Sequence, residues 1–185
     1  MTEVKTSSRK SLIIRFAIFG LVLTLLIGTV SFFSSRLDTP PNYSGGKVVG
    51  KIVPDVTVVA LDGEKVSLRG LSGKRVIINF FNSWCVPCQE ELPALQEFAR
   101  KYQSDPDFVF IGIARDDSEQ NIRNWAENND VPFDIVLDPG QDAAIGFGTT
   151  GQPETYAIAP DGRVVGSLLA RATVQSLEEL WQVTG

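Results

Sequence analysis

Histidine is absent from all 185 residues. Its absence excludes Ser-His-Asp and Cys-His catalysis within this chain and removes the commonest metal ligand. Cysteine is nearly absent, with two residues in the whole chain. Two thiols without histidine fall short of the about four N/S ligands that a structural zinc site needs. Positive charge is scarce beyond the N-terminus. Residues 1–36 carry five basic side chains against one acidic, a net of +4, and the remainder carries 12 basic against 21 acidic, a net of −9. A domain this acidic does not suit nucleic acid, whose phosphates call for Lys and Arg.

Charge of either sign is missing from Phe16 to Ser35, the run FAIFGLVLTLLIGTVSFFSS. As a helix, about 20 residues rise roughly 30 Å, the thickness of the bilayer hydrocarbon. Secretory apolar regions are shorter, about 7–15 residues, and Thr29-Val30-Ser31 is only a weak small-x-small cleavage site. No cysteine is present here for lipid attachment. Four Lys/Arg precede the run and one follows it, so the positive-inside rule puts the N-terminus in the cytoplasm. The expected organisation is a basic cytoplasmic N-terminus (1–15), an uncleaved transmembrane signal anchor (16–35), a linker rich in Pro, Gly and Ser (36–50) and one extracytoplasmic domain (51–185).

Within the domain, Val56–Leu61 and Lys65–Leu68 flank Asp62-Gly63 and predict a β-hairpin. Val76–Phe81 is an apolar run broken by Asn79, as expected for a strand buried on both faces. Leu92, Leu95, Phe98, Ala99 and Tyr102 recur at helical spacing and predict a helix from near Cys85 to about Gln103, interrupted by Pro93. Phe108–Ala114 is a second buried strand, and Ser118 caps a helix to about Asn129. A short strand over Phe133–Leu137 and a short helix over Ala143–Phe147 follow. The hairpin Thr155–Ala159 and Arg163–Leu168 turns at Pro160-Asp161-Gly162, and Thr173 caps a last helix. This order describes an α/β sandwich with a mixed central sheet.

The two cysteines, Cys85 and Cys88, stand three apart where the Val76–Phe81 strand gives way to a helix. Unpaired N–H groups and the dipole at a helix N-terminus stabilise a thiolate, the attacking species in disulfide exchange. Cys85 is therefore the expected nucleophile. Cys88, one turn in and expected to be less exposed, is placed to resolve the mixed disulfide. A static bridge closing so short a loop would stabilise the fold little. Trp84 is placed to shield the sulfur and to contribute to a docking surface.

These residues carry a resemblance. Trp84-Cys85-Val86-Pro87-Cys88 after Ile77-Ile78-Asn79-Phe80-Phe81 resembles the thioredoxin active site, and Gln152-Pro153 before a strand resembles its cis-proline loop. With the uncharged run, the N-terminal hairpin and GFGTTGQPETYAIAPDGRVVG, the chain resembles the membrane-anchored TlpA/ResA/CcmG group, also called DsbE-like proteins, over about residues 50–184. The resemblance implies a thioredoxin-like fold and a thiol–disulfide oxidoreductase with the redox-active disulfide Cys85–Cys88 and no bound cofactor or metal. It implies a cis bond at Pro153, leaving the Gln152 backbone free to pair with a substrate strand. Thioredoxin proper has Asp where Asn79 stands, so another group must accept the Cys88 proton. Glu91, three residues after Cys88 on the same helix face, is the first candidate, and Glu90 points away. Glu154, which follows Pro153, is the second. Without a nearby cation, and with two acids, a stabilised thiolate is disfavoured, which points to a reductant. The group implies a transmembrane thiol carrier of the CcdA/DsbD type as donor and apocytochrome c as acceptor. A general extracytoplasmic disulfide reductase fits the same residues. A peroxiredoxin-like peroxidase lacks its Pro and Thr, since Phe81-Asn82-Ser83-Trp84 precede Cys85, and a non-catalytic interaction module leaves the dithiol unexplained.

Overall fold

The computed structural model describes residues 5–37, with side chains over 13–29, and residues 47–185. The chain divides into two units, Met1–Pro40 and Pro41–Gly185. The described residues of the first form one helix, α1 (Lys5–Leu37). A membrane-spanning helix is the expectation for Phe16–Ser35. Among the described residues, however, no helix is long and apolar enough to cross a membrane, and the described side chains cover only part of that run. Most of the expected linker, residues 38–46, lies outside the described residues. Its end, 47–50, belongs to the second unit: Val48 is buried and the Gly50 N–H donates to the Val164 carbonyl at 2.8 Å.

The second unit is a seven-stranded sheet in the order β2-β1-β5-β4-β3-β6-β7. The strands are β1 (Thr57–Ala60), β2 (Lys65–Ser67), β3 (Arg75–Phe81), β4 (Phe108–Ala114), β5 (Asp134–Leu137), β6 (Glu154–Ile158) and β7 (Val164–Leu168). Strands β3, β4 and β5 run parallel, while the two hairpins add antiparallel strands at each edge, β1 on β5 and β6 on β3. β3 lies between β4 and β6 and is buried from Val76 onward, which is why its sequence is apolar without alternation.

Alternate residues of β3 feed different layers. Val76, Ile78 and Phe80 join Ile113, Phe147, Tyr156 and Val164 on one face, against the short helix α4 (Asp142–Phe147) and the Val48–Val53 segment. Ile77 packs with Leu95, Phe98, Leu177 and Trp181 of α2 (Val86–Tyr102) and α5 (Val174–Gln182) on the other. Phe81 meets Cys85, Cys88 and Ile122 of α3 (Glu119–Asn129) on that same side. Each fully buried large apolar side chain contributes about 1.5–3 kcal/mol. Ser118 and Thr173 cap α3 and α5 as expected, accepting the backbone N–H groups of Asn121 and Ser176. α2 continues without a break through Pro93.

Candidate active site

At the carboxyl end of β3 the chain passes through Asn82-Ser83-Trp84 into Cys85, the N-cap of α2. Pro87 sits in the first turn, where the helix needs no N–H from it. Cys85 and Cys88 are joined by a disulfide with S–S 2.09 Å. Cys85 Sγ accepts the Cys88 backbone N–H at 3.2 Å, taking the place that a Ser or Asp oxygen holds at most helix starts. The same donor, with the helix dipole behind it, favours negative charge on Cys85 once the bridge is reduced. In this oxidised state both cysteines are buried, at 5% and 3% exposure. The expected contrast between an open nucleophile and a covered partner is therefore small, and position on the helix is what separates them. Trp84 and Val86 beside them are open to solvent.

Facing the sulfurs is the loop before β6. The Gln152-Pro153 bond is cis, and the Gln152 carbonyl oxygen lies 4.0 Å from Cys85 Sγ. Trp84 and Gln152 thus both border the dithiol.

Glu91 lies one turn beyond Cys88 and is 1% exposed. Asn79 Nδ2 donates to its Oε1 at 2.8 Å, and the Ala172 N–H donates to its Oε2 at 2.6 Å. Burial pushes the Glu91 carboxyl up to about 7; the Ala172 N–H, the Asn79 amide and the Arg171 charge oppose that rise without cancelling it. Asn79 also donates to Thr155 Oγ1 at 3.1 Å, so one amide ties β3 to both α2 and β6. Glu90 points outward, as expected, and pairs with Arg171 at 2.6 Å.

Glu154, the second candidate to accept the Cys88 proton, does not stand on the Glu91 face of the sheet. Thr155 pairs with Asn79 and Glu154 with Phe80 across the β3–β6 ladder, so Glu154 falls on the Phe80 face, away from Glu91. Its Oε1 accepts from the Thr150 N–H (3.0 Å), the Thr150 hydroxyl (3.2 Å) and the Gly151 N–H (3.1 Å), and its Oε2 from the Tyr156 hydroxyl (2.6 Å). Burial, then the bond to Glu154 and its charge, push the Tyr156 phenol far above the usual range. Glu154 is the brace of the loop that carries Pro153, and its lone pairs are committed there.

A second anchoring group was not singled out from the sequence. Asp117, after β4, accepts from the Ser83 N–H (2.7 Å) and hydroxyl (2.6 Å) and from Asn121 Nδ2 (3.0 Å). Burial works to raise its pKa, but the bonds from Ser83, Asn121 and Ser118 outweigh it and hold the carboxyl below its ordinary value. The Trp84 indole N–H donates to the Asp116 carbonyl at 3.2 Å. The signal for these residues is position: Arg115-Asp116-Asp117 is a polar run at the carboxyl end of a buried strand, the edge where open α/β sheets build their sites. Among the described residues no cluster of three or more His, Cys, Asp or Glu side chains is arranged to hold a metal ion.

Residues 49–167 match the AhpC/TSA family. The thiol-disulfide oxidoreductase ResA of Bacillus thuringiensis (strain Al Hakam) is 31% identical over 130 residues, covering 70% of this chain and 75% of that protein. The thioredoxin-like protein YneN of Bacillus subtilis (strain 168) is 27% identical over 164 residues, covering 86% and 95%. Among solved structures, MTB DsbF in its mixed oxidized and reduced forms superposes with a TM-score of 0.66 at 25% identity, over 72% of this chain and 99% of that one.

Proposed function

The chain belongs to the AhpC/TSA family and is a thiol–disulfide oxidoreductase; on that footing we propose that it works as a reductant outside the cytoplasmic membrane, delivering electrons to the cysteine pair of apocytochrome c. In this proposal the uncharged run Phe16–Ser35 tethers the domain to the membrane, and a thiol carrier of the CcdA/DsbD type reduces Cys85–Cys88 after each turnover.

The steps follow from the placement of the groups. The Cys85 thiolate attacks one sulfur of the substrate disulfide; a new S–S bond forms, the substrate bond breaks, and a substrate thiolate leaves. Cys88 then loses its proton and attacks Cys85 Sγ. The Cys85–Cys88 bond forms, the mixed disulfide breaks, and the second substrate thiolate leaves. Two electrons have passed to the substrate, and its two thiolates take up protons. Glu91, buried on the Cys88 side of α2 with its pKa pushed up to about 7, is suited to hold the Cys88 proton. Gln152 offers its backbone, beside Pro153, to an extended substrate segment, and Trp84 lines the entry.

The observation that carries the reductant reading is the buried Asn79–Glu91 pair behind Cys88. An acid there opposes a second negative charge on the sulfurs, and among the described residues the polar contacts of Cys85 Sγ are an N–H and a carbonyl, with no cationic side chain. A dithiol whose thiolate is held by one N–H and a helix dipole, without a cation beside it, gives up its electrons more readily than one that a cation also stabilises. The choice of apocytochrome c rests on the resemblance to the DsbE-like group.

Expression of Cys88→Ala in the native host, followed by isolation of mixed disulfides, tests the substrate. Capture of apocytochromes supports the proposal. A varied set of captured proteins points to a general disulfide reductase. No capture, with the wild-type pair fully oxidised in the cell, overturns the reductant reading.

A further inference from the structure

Arg115 stands one residue past β4. Its N–H donates to the Phe81 carbonyl at 3.1 Å, extending the β3–β4 ladder one step toward the dithiol. The side chain turns into the protein and is 14% exposed. Its Nη1 donates to Thr149 Oγ1 at 2.7 Å, and its Nη2 to Asp116 Oδ2 at 3.2 Å and to Gln141 Oε1 at 3.3 Å. Gln141 closes the ring by donating to Asp116 Oδ1 at 2.6 Å.

Each of these contacts leads to a border of the dithiol. Thr149 begins the stretch Thr149–Pro153, whose next two residues are held by Glu154 and whose Gln152 carbonyl faces Cys85. Asp116 offers its own carbonyl to the Trp84 indole and keeps a left-handed backbone, φ 52°, to do so. A non-glycine residue in that conformation is uncommon and costs energy unless its surroundings hold it there. Arg115 and Gln141 grip both carboxylate oxygens of Asp116 and supply that hold.

A single guanidinium therefore touches the supports of both borders. Lysine cannot replace it, because a point charge lacks the fork that reaches Thr149 and Asp116 together. Arg115 is also a poor choice on stability grounds. Among the described residues its Nε is buried without a partner, as are both polar atoms of the neighbouring Asn82 amide, and such groups cost rather than contribute stability.

We infer that Arg115 is a positioning residue that fixes the spacing between Trp84 and the Gln152-Pro153 loop, and so sets the fit of an extended disulfide-bearing peptide across Cys85. The inference rests on the reading that the substrate is a polypeptide, whichever polypeptide that is. A small aromatic disulfide needs only the sulfur and its helix cap, and its reaction does not depend on that spacing.

The full-length chain, pre-reduced, is assayed in single turnovers over a range of oxidised Cys-x-x-Cys-His peptide, where KM is the half-saturating peptide concentration and kcat the limiting rate, and in single turnovers with 5,5′-dithiobis(2-nitrobenzoate). Arg115→Met raises KM for the peptide about tenfold with kcat held within about twofold, an effect of about 1.4 kcal/mol. Its rate with the aromatic disulfide and its midpoint potential stay at the wild-type values. Thr149→Val, which deletes one anchor and conserves volume, shifts KM in the same direction by about threefold. Arg115→Lys behaves as Arg115→Met. Equal losses on both disulfides, a shifted potential, or an unchanged peptide KM in a folded Thr149→Val variant overturns the inference. Because the peptide probe is synthetic, failure to trap apocytochromes in the cell leaves this result standing.

Discussion

Asn79 Nδ2 lies 2.8 Å from Glu91 Oε1, a buried amide–carboxyl bond between the strand that leads to the dithiol and the helix that carries it. The bond joins an unchargeable residue to one that titrates near neutrality. The charge behind Cys88 is therefore decided by Glu91 alone.

The first prediction concerns stability. The Glu91 pKa rises from 4.5 to about 7 on folding, so between those values the folded protein binds more protons than the unfolded one. Stability then falls as pH rises through this window, by at most about 3 kcal/mol from this group. Urea unfolding of the oxidised protein is expected to be harder at pH 5 than at pH 8. Glu91→Gln removes most of the difference; an unchanged pH dependence in that variant would rule the assignment out.

Kinetics follow from the same group. With Glu91 absent, release of the trapped substrate by Cys88 loses its proton acceptor. Glu91→Gln should slow that step about 100-fold and remove the inflection near pH 7 from its rate profile. Stopped-flow tryptophan fluorescence reads the step. Attack by Cys85 is expected to change far less, and a loss confined to that first step counts against the role.

Asn79→Asp places a second acid at hydrogen-bond distance from the first. Like charges so close cannot both form in a buried site, so one carboxyl holds its proton well above neutrality. The variant should lose about 3 kcal/mol at pH 8 and regain much of it at pH 5. Thermal melts at the two pH values decide; equal losses at both would show that the amide serves packing only.

Tyr156→Phe leaves Glu154 Oε2 buried without its donor. The expected cost is about 1–3 kcal/mol at neutral pH, visible as a lowered urea midpoint with an unchanged slope. The dithiol lies on the other face of the sheet, so its midpoint potential should not move. A shifted potential would place Glu154 back in the redox chemistry.

Ser83→Ala removes one of the hydrogen bonds to Asp117 Oδ2 and keeps the backbone N–H bond. Asp117→Asn removes the charge as well. Because folding lowers the Asp117 pKa, its stabilisation is present above the unfolded carboxyl pKa and fades as pH falls through the folded one. Asp117→Asn should therefore weaken the fold at pH 7, by less as pH falls from 7 toward 3 and through the lowered folded pKa. A constant deficit across that range would contradict the assignment.

The legible parts of this protein were those written in local chemistry. Cys85 at a helix start, the caps Ser118 and Thr173, the turns at Asp62-Gly63 and Pro160-Asp161-Gly162, and the buried run of β3 each depend on near neighbours in the chain. What stayed hidden depends on pairing. β1 joins β5, a partner more than seventy residues away, and no turn marks that contact. Glu154 was a candidate proton acceptor because it follows Pro153, yet the β3–β6 register sends it to the face opposite Glu91. Arg115 carries no signal of its own in the sequence, and only the approach of Thr149 and Gln141 reveals its reach.

The cap of α2 is a sulfur rather than an oxygen, and that sulfur changes charge during every catalytic cycle. In the disulfide, the Cys88 N–H meets a neutral atom; in the dithiol it meets a thiolate, and charge-assisted bonds are about twice as strong. Electron transfer is thus also a change in how firmly the helix begins. The hydrogen bond that caps α2 strengthens when electrons arrive and weakens when they depart, while the S–S bond that also holds Cys85 to Cys88 is broken and made in the opposite sense.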